Sequence, residues 1–227
     1  MGNNLISKNS EWGKVAKDLE SEELKLKSYD GPLLDHLGSV AGKMILDYGC
    51  GPGILALALQ RLGADIKVFD IDQEMLRLAG EKIGHEKVYT SAVDIPSDFD
   101  FVICNLVLCI NPDDEVRRIA RNIRNELKST GRAYAGFCNP LIFDVPESML
   151  DFRFQTGNQY TENHRYKKIK KEGKYEIIED HRPIEWYLQI FKEAGLTHLN
   201  TIFTPEYQFG RRKINDFVIL EFEGGEK

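Results

Sequence analysis

Hydrophobic residues along this chain switch repeatedly between two spacings. Short apolar runs, such as Met44-Ile45-Leu46, Ile66-Lys67-Val68-Phe69 and Phe101 to Leu106, alternate with longer stretches in which apolar positions recur every three or four residues. The first spacing predicts strands and the second helices. Strands are expected at about 43–48, 66–69, 88–90, 101–106 and 133–138, with helices between them from Ile54 to Leu62, Gln73 to Ile83 and Asp113 to Leu127. Lys128 to Arg132 reads as the turn into the fifth strand. Such alternation implies a parallel sheet with helices on both faces, and an unbroken apolar run fits a strand covered on both sides. Upstream, Ser10 is placed to cap a helix over Glu11–Leu19, and Asp30 with Pro32 to start another that ends near Leu37.

From Asn139 to Arg182 this rhythm stops. Phe152 to Thr161 is aromatic and polar, with Gly157-Asn158 as a turn. Tyr166 to Lys171 and Tyr175 to Glu179 flank Glu172-Gly173 and read as a hairpin. Regular patterning returns with a helix from Pro183 to Ala194, stopped by Gly195, and strands at 197–204 and 216–223. The pattern is therefore α/β and doubly wound, with seven strands and an insertion after the fifth. A chain of 227 residues with 42% hydrophobic content can bury one sizeable core, and no Pro/Gly/Ser linker divides it. We expect one domain over 1–227, with a helical lid at 1–40, a ligand-binding half at 41–138, the insert at 139–182 and a closing helix and strands at 183–227.

Charge and cysteine usage narrow the function classes. A net charge of −6 gives no general attraction to nucleic acid or anionic lipid. No apolar run approaches a membrane span, the N-terminus lacks the apolar core of a signal peptide, and Ile6 stands where a myristoylation signal needs Ser or Thr. Cys50, Cys104, Cys109 and Cys138 sit in or beside apparent strands and never as Cys-x-x-Cys, so they read as small buried residues in a reducing cytoplasm. No His/Asp/Glu grouping has metal-ligand spacing.

The densest chemistry lies in Asp47-Tyr48-Gly49-Cys50-Gly51-Pro52-Gly53, between the first strand and the helix opening at Ile54. Alternate glycines permit positive φ and let a ligand approach the backbone, and the helix start offers free N–H groups. Ile54 stands where the dinucleotide fingerprint needs glycine, and the Lys-Ser/Thr of a triphosphate loop is missing. Asp-x-Gly-Cys-Gly-x-Gly resembles the first motif of the class I S-adenosylmethionine-dependent methyltransferases of the small-molecule type. The likeness continues in order from Lys43 to Cys138 and more loosely beyond. It implies S-adenosyl-L-methionine as cofactor, a Rossmann-like sheet whose last strand is antiparallel, and an insert that roofs the substrate. It also implies cofactor contacts from Asp47, Gly49, Cys50, Gly51 and Gly53.

Phe69-Asp70-Ile71-Asp72 resembles the second motif of that family, which implies Asp70 as acceptor for the ribose hydroxyls and Ile71 as a face for adenine. A carboxylate suits a diol because it offers two acceptor oxygens. Asp72 reads instead as the cap of the helix from Gln73. The chain departs from the family at Ser91-Ala92-Val93-Asp94, where relatives carry an acid at the Ser91 position. There the Ala92 backbone is a candidate for adenine, and Asp94 takes the acid's role only if the loop curves differently. Phe101 to Leu108 resembles the fourth-strand motif, implying the Asn105 carbonyl near the methionine amino group, with Asp100 structural at the strand's entrance. Cys109 stands where relatives often carry His.

Methyl transfer from a sulfonium asks mainly for orientation, and for a base only when the acceptor must lose a proton. His181, in Asp180-His181-Arg182-Pro183, is the candidate base; alternatively it is a structural contact of Asp180, with Arg182 pairing to Glu185. Trp12 and Tyr29 belong either to a lid over the cofactor or to the core. The insert's Phe152, Phe154, Tyr160 and Tyr166 are expected to furnish aromatic pocket surface. The basic run from Arg165 to Lys174 is either the solvated face of a hairpin or an arm for an anionic substrate. The resemblance thus implies methyl transfer to oxygen or nitrogen of a small-molecule acceptor. A tRNA or protein acceptor, and a cofactor-binding regulatory or scaffold protein without turnover, are the alternatives. Nucleic acid and membrane partners are not expected.

Overall fold

The computed structural model describes residues 5–7, 9–21, 23–154 and 159–225; the Ser10 cap and the Gly157-Asn158 turn lie outside the described residues and side chains. The chain opens with β1 (Leu5–Ile6), a 3-10 segment and α1 (Ala16–Glu20). Next, α2 (Glu23–Lys25) passes through one π turn, Leu26–Asp30, into α3 (Gly31–Leu37). Asp30 is thus inside the helical run rather than at its start, and its carboxylate accepts from Lys25 Nζ at 3.0 Å. The wide turn falls just before Pro32, whose ring has no N–H and would crowd the preceding turn of a regular helix.

Then come β2 (Met44–Tyr48), α4 (Ile54–Arg61), β3 (Asp65–Phe69), α5 (Gln73–Ile83), β4 (Val88–Tyr89), β5 (Phe99–Asn105), α6 (Asp113–Glu126) and β6 (Leu127–Cys138). The fifth strand starts earlier than its sequence suggests: Leu127 pairs with Phe99 before the register shifts, and regular pairing resumes at Arg132 opposite Phe101. Chain order continues with β7 (Asp151–Phe154), β8 (His164–Lys170), β9 (Glu176–His181), α7 (Ile184–Glu193), β10 (Leu196–Phe203), a small hairpin of β11 (Tyr207–Phe209) and β12 (Arg212–Ile214), and β13 (Phe217–Gly224).

The main sheet has seven strands in the order β10-β13-β6-β5-β2-β3-β4. All neighbours from β6 to β4 run parallel, while β13 is antiparallel to both β6 and β10. Alternate residues of its central strands feed two apolar clusters. Leu46, Tyr48, Val102 and Cys104 join the α6 and α7 side, whereas Ile45 and Ile103 join Leu33, Leu55 and Leu76 from α3, α4 and α5. Helices therefore cover both faces, and the apolar strands are buried on each, as their composition requires.

The insert builds a second sheet, ordered β1-β9-β8-β7, in which β7, β8 and β9 are antiparallel and the N-terminal β1 adds in parallel. Trp12 meets Tyr175 edge-on at 6.3 Å, and Ile6, Val15 and Ile177 pack beside them. The N-terminal segment, read from sequence as purely helical, is thereby tied to the insert.

Candidate functional site

One large cavity lies at the carboxyl ends of β2, β3 and β5, where open α/β sheets bind ligands. Asp47, Gly49, Cys50, Gly51, Asp70, Ile71 and Asn105 all line it. Gly49 has φ 81°, and a Cβ there would lie 2.3 Å from Val107 Cγ2, so the close approach of the loop to Val107 admits no side chain. Gly51 has φ 52° and open space around its missing Cβ. Gly53 instead packs on Ala79, 2.9 Å from a would-be Cβ, and does not line the cavity. Ala92–Asp94 forms a short 3-10 turn that is likewise not among the lining residues. Leu106 adopts φ 59°, a left-handed conformation rare for leucine, at the mouth of β5.

Two acids dominate this end. Asp70 accepts from Gly51 N and Asp72 N, each at 2.9 Å, which fixes the glycine loop to the end of β3. Burial raises the Asp70 carboxyl, and those backbone donors partly offset it. Asp47 is more isolated: burial pushes it up to about 7, and its Oδ2 has no hydrogen-bond partner. Asn105 accepts from Tyr29 Oη at 2.5 Å, while its Nδ2 is also without a partner. Orphaned buried atoms of this kind call for a polar ligand. Ile71 is 56% exposed beside them, an apolar face left open. Together these features fit S-adenosylmethionine: acceptors for an ammonium and a diol, an apolar face and a cleared loop.

Around this centre the structure separates the remaining expectations. Asp72 caps α5 through Glu74 N and Met75 N, and it also accepts from Gly13 N at 3.0 Å. Asp100 accepts from Met44 N and Lys128 Nζ, each at 2.9 Å, a structural position. Tyr29 is fully buried against Phe217, whereas Trp12 lines the cavity. Arg182 does not pair with Glu185; it binds Asp113 at 2.7 Å and the carbonyls of Leu108 and Asn111, and lies over Trp186. His181 sits in a smaller adjoining pocket, its Nε2 2.9 Å from the Tyr160 carbonyl and its ring stacked on Phe143. Burial lowers its pKa. Asp180 faces Arg165 and Arg182 instead.

The insert's inner face was not legible beforehand. Strand alternation turns Tyr166, Lys168 and Lys170 inward, with Asp151 and Arg153 from β7 and Glu179 from β9. Lys168 Nζ lies 2.6 Å from Glu179 Oε1, 3.2 Å from Asp151 Oδ2 and 3.0 Å from Cys138 Sγ. Burial works against this ammonium, but Asp151, Cys138 and Glu179 outweigh it and hold its pKa well above the ordinary lysine value. Lys170 binds Asp151 Oδ1 at 3.0 Å, and Tyr166 Oη donates to Glu179 Oε2 at 2.6 Å. Cys138, Lys168, Lys170 and Glu179 line the same cavity as Asp47 and Asp70. The basic run is therefore not simply a solvated face. Three of its outward members are matched by acids, Arg165 by Asp180, Lys167 by Glu176 and Lys171 by Glu147. Phe152 and Phe154 point outward under Lys171 and Lys167, not into a pocket. A weak signal did exist, since 166, 168 and 170 alternate as a strand face should, but charged residues at that period normally face water.

Comparison with known proteins agrees with this architecture. Residues 45–131 match the family described as "Methyltransferase domain". A ubiquinone biosynthesis O-methyltransferase from Cupriavidus pinatubonensis (strain JMP 134 / LMG 1197) is 33% identical over 91 residues, 36% of each chain. The chain spans about a third of the length of such curated relatives. An S-adenosylmethionine-dependent methyltransferase from Clostridium acetobutylicum ATCC 824 superposes with a TM-score of 0.65 at 16% identity, covering 95% of this chain and 98% of that one. Magnesium protoporphyrin IX methyltransferase from Synechocystis PCC 6803, solved with bound S-adenosylmethionine, gives 0.56 at 17% identity over 99% and 87%. Residues 45–131 thus match a methyltransferase domain, and the chain shares the fold of these S-adenosylmethionine-dependent methyltransferase structures. No helix among the described residues is long and apolar enough to cross a membrane.

Proposed function

We propose that this protein moves the methyl group of S-adenosylmethionine to an oxygen or nitrogen of a small organic acceptor, as one domain roofed by the 139–182 insert. The observation that carries this is the continuity of the cavity. Asp47, Asp70 and the glycine loop lie at one end, and Lys168, Lys170 and Glu179 of the insert sheet at the other, so donor and acceptor share one space. The bound cofactor supplies a methyl carbon already activated by its sulfonium. This chain's residues then hold and orient: Asp70 accepts the ribose hydroxyls, Asp47 with the end of β5 at Asn105 meets the ammonium, and Ile71 packs on adenine. Orientation and exclusion of water provide most of the acceleration such a reaction needs.

Oxygen is the favoured acceptor atom, because several matched relatives are named ubiquinone biosynthesis O-methyltransferases, while another is named a ribosomal protein L11 methyltransferase. The outer cations Arg165, Lys167 and Lys171 of this hairpin each face an acid, which reduces their attraction for a tRNA or other polyanion. The test is transfer from methyl-labelled S-adenosylmethionine into a small-molecule extract and, in parallel, into bulk tRNA. Label in the extract that depends on Asp70 supports the reading. Label in tRNA, or cofactor binding without transfer to either pool, would overturn it.

A further inference from the structure

The insert buries several charges, and nearly all of them are spent on one another. Lys168 directs its ammonium at three acceptors, Asp151, Glu179 and Cys138. Both oxygens of Glu179 are engaged, by Lys168 and by Tyr166. Lys170 is taken by Asp151, and Arg153 by Asp151 and Asp216. Cys138 differs in that the residue is only partly buried and lines the cavity, while its sulfur accepts from Lys168. Cys109, Cys138 and Glu179 bring their ligand atoms within 4.8 Å, a grouping that could hold a metal ion. The Lys168 ammonium already fills the cationic place between Cys138 and Glu179, which argues against that use.

We propose that Cys138, which lines the cavity with its sulfur held by Lys168, is the catalytic base of the acceptor subsite and takes the proton of a hydroxyl acceptor. This rests on the methyl-transfer reading above. As the acceptor oxygen attacks the methyl carbon, the O–H bond breaks and an S–H bond forms on Cys138. The O–C bond forms while the C–S⁺ bond breaks, and its electron pair stays on the cofactor's sulfur. One thiolate and one sulfonium are consumed, so the charges cancel. Glu179 Oε1, 3.5 Å from Cys138 Sγ, is placed to accept from the new S–H.

The electrostatics point the same way. A hydrogen bond from Cys109 lowers the Cys138 thiol pKa; burial, Glu179 and Asp151 oppose this, and Lys168 supports it. Arg153 and Tyr166 also act on it, and Asp180, His181, Arg182 and Tyr187 line the adjoining pocket that Cys138 shares. Cys109 itself is pushed well up, by that same contact and by burial, which leaves it the proton donor of the pair. His181 is less well placed, since its Nε2 meets the Tyr160 carbonyl outside the main cavity.

The test begins with iodoacetamide, which reads thiolates directly. Alkylation of the native full chain is followed site by site across pH by mass spectrometry, with the urea-unfolded chain as reference. Cys138 should react first among the four cysteines, with a midpoint below its own unfolded value. Lys168→Met should raise that midpoint; should that variant fail to fold, Cys109→Ala, a small apolar change, should raise it too. A native midpoint at or above the unfolded one overturns the proposal. Next, Cys138→Ser should keep cofactor affinity but lose about 10²-fold or more in methyl transfer to the small-molecule extract, recovering as pH rises. A wild-type rate and pH profile in this variant overturns the proposal, as does label fixed on Cys138 itself, which would make the sulfur an acceptor. Absence of transfer by the wild type would sink the methyltransferase reading and this role together, whereas a failed alkylation profile sinks this role alone.

Discussion

The two sheets of this molecule bury opposite kinds of side chain. In the main sheet, β2, β3 and β5 bury Ile45, Leu46, Ile66, Val68, Val102 and Ile103, and burial of such residues is stabilising in itself. The insert sheet buries Asp151, Arg153, Lys168, Lys170 and Glu179 and leaves Phe152 and Phe154 exposed. A buried ion cluster recovers its desolvation cost only through good geometry and complete pairing. The main sheet thus explains why the chain folds. The insert sheet has a polar inner face where an all-apolar one would be easier to stabilise, and that face abuts the cofactor end of the same cavity. On the proposed function, the insert's interior would answer to an acceptor more than to stability.

The contrast is tested most severely by removing the acid at the centre of the cluster. Asp151 faces Lys168, Lys170 and Arg153, and those three cations outweigh burial to hold its carboxyl well below the usual range. Asp151→Ala leaves buried cations short of a partner and should cost about 3–5 kcal/mol in urea unfolding. Ile66→Val, a fully buried position of β3, should cost about 0.5–1.5 kcal/mol. If the two costs proved equal, or reversed, the insert's charges would not be acting as a paired unit.

That asymmetry also explains what the sequence could reveal. Period and composition located the main strands because each depends on local residues alone: an apolar run, a following acid, a glycine turn. The acids Asp47 and Asp70 were legible for the same reason, sitting at strand ends before recognisable loops. The inner face of β8 was not, because Lys168 is buried only by virtue of Asp151, Glu179 and Cys138, residues 11 to 30 positions away in sequence. The π turn before Pro32 and the early start of β6 escaped notice for a related reason. Each is a compromise between local preference and a register set by partners elsewhere.

At the cofactor end the expected losses are in binding rather than folding. Asp70→Ala removes an acceptor held by Gly51 N and Asp72 N and should weaken S-adenosylmethionine binding by about 1.5–3 kcal/mol, the range for charge-assisted hydrogen bonds. Calorimetric titration of the folded variant decides it, and an unchanged affinity would remove Asp70 from the cofactor site. If Asp151→Ala weakened binding as much while remaining folded, the two ends of the cavity would not be separable.

Asp47 gives the comparison a pH axis. Its carboxyl, pushed up to about 7, binds its proton more tightly in the folded chain than in the unfolded one, where about 4 is ordinary. Its contribution to stability is therefore full below about pH 4 and is lost as pH rises towards 7. Cofactor affinity should move the other way, because an ammonium needs the ionised acid, rising by at most about tenfold per pH unit up to 7. Glu126, which burial raises to about 8, adds a background slope to stability, so the difference from Asp47→Asn is the quantity to measure. A variant with the same pH dependence as the wild type in both titrations would take Asp47 out of this role.

The smallest effect is expected one residue from the most buried lysine. Lys167 turns outward on β8, its side chain 42% exposed, 3.1 Å from Glu176 and 5.2 Å above the Phe154 ring. An exposed ion pair of this kind is worth about 0–1 kcal/mol, and a cation over an exposed ring adds about as little. Lys167→Ala should therefore shift urea unfolding by less than about 1 kcal/mol and leave cofactor binding unchanged. The adjacent Lys168→Ala should resemble Asp151→Ala instead, because it strands two carboxylates in the interior. Adjacent lysines with equal effects would mean that β8 does not hold the register that pairs Lys168 with Ile177 and turns alternate charges towards the cavity.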